Sequence, residues 1–192
     1  MRLLFIVVIL GCLGVGAFFA NMHWQENESI NRQNKRVAVM NRMIDTLNEA
    51  TAHSEGCLET YNKWLQYLSD NESESKIKAL AFFGKACPDG ARGYYAKAED
   101  VVKHSESTPD TAAKAEFFAA SLEVMRLQSK RGDDFDAINT VLEAATEQNN
   151  AGVFSGAVAA QITRHYNRQA DAISAAEAAL ETARAAYYSD DG

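Results

Sequence analysis

The chain has 192 residues, 47% apolar and 23% charged, enough for one domain of ordinary size and a targeting segment. Its net charge of −7 is spread without a basic block. That argues against nucleic acid, which needs a clustered positive face, and offers little to an anionic lipid surface. Only Pro88 and Pro109 interrupt an alanine-rich sequence with no alternating strand pattern, so the expected fold class is all-α.

Residues 3–20 carry no charge. As a helix they would span roughly 27 Å, close to the hydrocarbon thickness of a bilayer. Residues 1–22 are therefore expected to form an N-terminal transmembrane helix, with Trp24 at the interface. Two other readings stay open: a cleaved signal peptide, with Gly14-Val15-Gly16 as the small-residue site, and a lipoprotein signal at Cys12. Arg2 precedes the segment and Glu26 and Glu28 follow it, which places 23–188 outside the cytoplasm, in the periplasm of a bacterium. Cys12, Gly16 and Ala20 fall at four-residue steps, a spacing that lets two membrane helices approach closely, although small residues are also common in signal segments.

A long helix is expected over 21–68. Ile30, Val37, Ile44, Leu58 and Leu65 hold one seven-residue series, and Met40, Leu47, Tyr61 and Leu68 hold another. Gln33, Thr51 and Ser54 are its polar exceptions. Such a seam signals coiled-coil-like packing. Val37, Met40, Ile44, Leu47, Leu58, Tyr61, Leu65 and Leu68 are the candidate interaction surface, for a protein partner or a second copy. The polar run 69–75 reads as a turn. A second helix to about His104 carries Ile77, Leu80, Ala81 and Gly84 on one face, and Pro88-Asp89-Gly90 is expected to interrupt it.

Thr108 and Pro109 read as the cap and first residue of a third helix, expected to stop at Gly132. Asp133 or Asp134 would cap the fourth, with Phe135, Ile138, Leu142 and Ala145 facing inward and a bend near 149–152. Ile162, Tyr166, Ile173, Ala176, Leu180, Ala183 and Tyr187 resume the stripe, and 189–192 form a polar tail. The sum is a transmembrane helix followed by a long up-and-down antiparallel bundle. Its helices differ in length, which leaves part of the first seam to pair outside the chain.

Cys57 and Cys87 flank the turn symmetrically, with residue 72 midway between them. Two antiparallel helices meeting there would put both at one height, within reach of a disulfide in an oxidising compartment. His53, one turn before Cys57, could join them as a metal ligand, but a disulfide would consume both thiolates. No His-Glu-x-x-His, Glu-x-x-His, Cys-x-x-Cys-His, Gly-x-Ser-x-Gly or phosphate-binding glycine loop occurs. Glu49/His53, Asp100/His104 and Glu143/Glu147 read as solvated helix faces. No catalytic residue, cofactor or metal is expected, and the chain is read as not an enzyme.

These readings converge on a non-catalytic accessory or scaffold subunit of an envelope assembly. A membrane segment running into a long first helix and three more also resembles the extracytoplasmic four-helix sensor domain of chemoreceptors. That resemblance covers architecture over most of the chain, without a specific motif, and implies ligand sensing. It lacks the second membrane span and the signalling domain of that family. A third reading is a protein similar to phage inner-membrane spanins, which join an N-terminal anchor to an extracytoplasmic coiled coil. The hairpin and the alanine-rich final helix depart from that pattern.

Overall fold

The structure, a computed structural model, describes the chain from Arg2 to Ser189 apart from 106–110 and 148–150, with side chains over 22–105, 111–147 and 156–189. It contains helices α1 (Arg2–Ser69), α2 (Glu74–Lys103), α3 (Ala112–Glu147), α4 (Ala151–Tyr166) and α5 (Ala170–Ser189), with a single 3-10 turn, Asn167–Gln169, joining the last two. The described residues hold no strand. Cross-helix contacts set the directions. Glu49 meets Lys97 and Tyr61 meets Gly84, so α1 and α2 are antiparallel. Arg92 meets Asp136 and Ser105 meets Lys114, so α3 reverses α2. Tyr166 stacks on Phe135 and Tyr187 on Phe117, so α4 and α5 both return along α3. The fold is an all-α up-and-down bundle.

Local chemistry explains the ends. After α1 the chain turns at Asn71, among the described residues the one non-glycine with positive φ, 51°. Asparagine tolerates the left-handed region, and the Glu72 amide bonds back to the Tyr67 carbonyl at 3.0 Å, closing the helix as a Schellman turn. At the start of α3 the Thr111 hydroxyl accepts from the Lys114 amide at 3.2 Å. The cap is thus Thr111; the expected Thr108 and Pro109 lie outside the described residues.

Two expected breaks are absent. α2 runs through Pro88-Asp89-Gly90, with Pro88 inside the helix. α3 runs through Gly132-Asp133-Asp134 to Glu147, so neither aspartate is a cap. Each has a packing reason. Pro88 lacks the N–H that would bond to the Gly84 carbonyl one turn back. The Tyr61 hydroxyl and the Asn139 amide donate to that carbonyl instead, at 3.2 and 3.0 Å. A Cβ on Gly132 would stand 3.0 Å from both the Pro88 carbonyl oxygen and the Arg92 side chain, so the glycine there serves close helix approach.

The interior divides at mid-height. One cluster holds Met40, Met43, Phe117, Met125 and Tyr187; the other holds Tyr61, Trp64, Phe135, Ile138 and Ile162. Between them lies a polar layer in which Ser54 donates to Gln128 at 3.3 Å, near buried Arg131 and Asp134. The 3-10 turn sits at this level, where Arg168 meets the Asp134 carboxylate at 3.0 Å.

Among the residues whose side chains are described, no helix is long and apolar enough to cross a membrane. The apolar segment 3–20, with Cys12, Gly16 and Ala20, lies outside the residues whose side chains are described. Of the tail, Ser189 closes α5, and 190–192 also lie outside.

Candidate functional site

Two places gather the features the sequence singles out: a groove along α1 and the paired cysteines. The groove follows from the geometry of the returning helices. α4 packs on both α1 and α3, whereas α5 packs on α3 and stands away from α1. The gap between α1 and α5 holds a cavity of about 360 Å³ lined by Ile44, Leu47, Thr51, Phe117, Val124 and Leu180, with Asn48, Glu177, Glu181 and Arg184 at its edge. Arg184 pairs with Glu181 at 3.0 Å. A second cavity of about 220 Å³, between Gln33, Arg36, Val37 and Met40 of α1 and Tyr187 and Tyr188 of α5, continues it toward the N-terminal end of α1.

The eight seam residues divide. Met40, Tyr61 and Leu68 are buried. Ile44 and Leu47 are half-buried and line the groove. Leu58 and Leu65 are half-buried beside the second core cluster, and Val37 is exposed. A series that periodicity passed over goes deeper: Met43, Ala50, Cys57 and Trp64 are all buried. Small Ala50 and polar Ser54 blurred the pattern, although both face inward. From Met22 to Lys35 every residue of α1 is exposed, including Trp24 at 63% and Ile30. The first helix therefore extends past the bundle as a lone rod.

Cys57 and Cys87 form a disulfide, Cα to Cα 5.8 Å, tying α1 to α2. Closing a loop of this length stabilises by about 3–4 kcal/mol through the entropy it removes from the unfolded chain. His53 lies against the bridge. Its Nε2 donates to the Cys87 carbonyl at 3.0 Å and stands 3.5 Å from Cys57 Sγ. Gly90 accommodates the ring, since a Cβ there would run into it, and Tyr94 tilts against it with centroids 5.6 Å apart. Among the described residues His53, Cys57 and Cys87 are the one group of three His, Cys, Asp or Glu whose potential ligand atoms lie close enough together for a metal ion, all within 4.8 Å of one another.

Sequence reasoning missed the polar layer. Asp134 is 1% exposed, and neither carboxylate oxygen has a hydrogen bond, although Arg168 lies close. Burial, the larger effect, raises its pKa above the ordinary carboxylate value against the opposing charges of Arg168 and His165. Arg131 lies over the Tyr166 ring, 4.8 Å from its centroid. The available signal was phase: Arg131, Asp134 and Ile138 share one face of α3. Tyr61, whose hydroxyl is buried against Gly84, is likewise pushed above its ordinary pKa, chiefly by burial and then by Asp136. On the surface Arg92 joins α2 to Asp133 and Asp136 of α3 at 2.7 and 2.5 Å, and these bonds raise its pKa further.

No protein-family model matches the chain, and no curated protein or solved structure matches it either.

Proposed function

We propose that the protein is a non-catalytic, membrane-anchored helical scaffold that binds a protein partner in the groove between α1 and α5, as an accessory subunit of an envelope assembly. The observation that carries this reading is the separation of α5 from α1, which leaves an apolar channel with a polar rim beside the exposed stripe of α1. The channel follows residues 33–51 of α1, roughly 27 Å, a length suited to an amphipathic partner helix. The anchor rests on the uncharged run 3–20, and the placement of the bundle outside the cytoplasm rests on the charges flanking it.

The test is a photo-crosslinking residue placed at Leu47 in the groove and, as control, at the exposed Ala86 of α2. In native membranes Leu47 is expected to yield one discrete protein adduct and Ala86 none. Adducts from neither position, or equally from both, would remove the groove from consideration. A second reading, ligand sensing, is favoured by the groove's volume, about 360 Å³, which falls in the range of small-molecule sites. A small molecule retained through purification and displaced by Leu47→Trp would select it.

A further inference from the structure

We propose that His53, Cys57 and Cys87 form a redox-gated site for a thiophilic divalent cation, Zn²⁺: a disulfide when oxidised, a metal centre when reduced. One potential ligand atom from each residue lies within 4.8 Å of the others. Tetrahedral zinc, with bonds of about 2.3 Å to sulfur and 2.0–2.1 Å to nitrogen, sets neighbouring S and N ligands roughly 3.5 Å apart. Nε2 of His53 already stands 3.5 Å from Cys57 Sγ. The cysteine Cα atoms, 5.8 Å apart, let rotation about χ1 open the sulfurs to the roughly 3.8 Å that two thiolate ligands require.

The histidine is positioned as well as near. It precedes Cys57 by one helical turn on the same face of α1, Gly90 leaves room for its ring, and Tyr94 packs beside it. A structural disulfide needs no such neighbour. Both cysteines are buried while His53 is half-buried, so water reaches the open side and can supply a fourth ligand. Two thiolates and a neutral imidazole balance a divalent charge, which makes the complex neutral where burial penalises a net charge. Sulfur ligands select zinc over magnesium or calcium.

The chemistry balances. A dithiol reductant delivers two electrons and two protons, the S–S bond breaks, two thiols form, and the reductant closes its own disulfide. Metal capture releases both thiol protons. The imidazole keeps its single proton, moved from Nε2, where it bonds the Cys87 carbonyl, to Nδ1.

The test uses the full chain in mild detergent, carrying Cys12→Ser to remove the third thiol. It is reduced with a dithiol, desalted without oxygen, and titrated with Co²⁺ and then Zn²⁺. The reduced chain is expected to bind one Co²⁺ with sulfur-to-cobalt charge-transfer absorption that zinc abolishes, and the oxidised chain to bind none. His53→Ala should weaken binding at least about tenfold, and Cys57→Ser should remove most of the charge-transfer band. His53→Gln, which keeps much of the ring's volume, replaces the alanine variant should circular dichroism show that one unfolded. A reduced chain that takes up no cobalt, a histidine variant that binds as tightly as the parent, or helix lost on reduction and not regained with zinc would each overturn the site.

Discussion

Asp134 shows how one side chain can work against the fold that contains it. Its carboxylate is buried among helices, with Arg168 at 3.0 Å and no hydrogen bond to either oxygen. Burial dominates, so the folded pKa lies above the ordinary 3.8. The folded chain then holds its proton to higher pH than the unfolded chain does. Asp134 therefore favours folding most below the unfolded value, and that contribution is lost as pH rises through the folded value. Asp134→Asn, with no proton to lose, should escape this decline. Its thermal midpoint is expected to gain on the parent as pH rises from the ordinary aspartate value through the raised one. A constant difference across that window would show that Arg168 already compensates the buried charge.

Helices α2 and α3 owe their continuity to each other. Pro88 frees the Gly84 carbonyl, and donors from α1 and α3 satisfy it. Gly132 accepts the approach of α2 because it lacks a side chain. Glycine inside a helix otherwise weakens it by about 1 kcal/mol relative to alanine. Gly93 lies in α2 with nothing within 4 Å of an added Cβ, whereas Gly132 would press on the backbone oxygen of Pro88. Gly93→Ala is thus expected to stabilise by about 0.5–1 kcal/mol, and Gly132→Ala to destabilise by about 1–3 kcal/mol through overpacking. Chemical denaturation of both variants measures the contrast. Equal gains would mean that the two helices can part at Gly132 without loss.

The whole molecule is a bundle with a rod. Residues 22–35 of α1 are exposed throughout, about 20 Å of helix that buries no side chain. Helices in water owe most of their stability to tertiary packing, so this stretch should open locally far more often than the bundle. Trypsin is expected to cut first at Arg32 or Lys35 and to leave the disulfide-tied bundle intact as one cooperative unit. Initial cleavage at Lys97 or Arg126, both inside the packed region, would count against it. Protection of the rod by a captured partner, with no change in the melting of the bundle, would place that partner on the rod and not in the groove.

Much of this architecture is local, and local information is written along the chain. Alanine content, scarce proline and the seven-residue series specify the helices, because periodicity is a property of a single element. The polar run at 69–75 sets the first hairpin, and its symmetry puts Cys57 beside Cys87. What tertiary structure decided depends on groups far apart in sequence. Which face of α1 lies deepest turned on the packing of its neighbours, which reach Cys57 through Cys87 of α2 and Trp64 through Thr146 of α3, so that Met43, Ala50, Cys57 and Trp64 became core. Pro88 and Gly132 read as breaks because their compensating partners, Tyr61, Asn139 and Arg92, sit on neighbouring positions only after packing. The groove exists because α4 packs on both α1 and α3 whereas α5, beyond the 3-10 turn, packs on α3 and away from α1, a relation among helices that no single stretch of sequence contains.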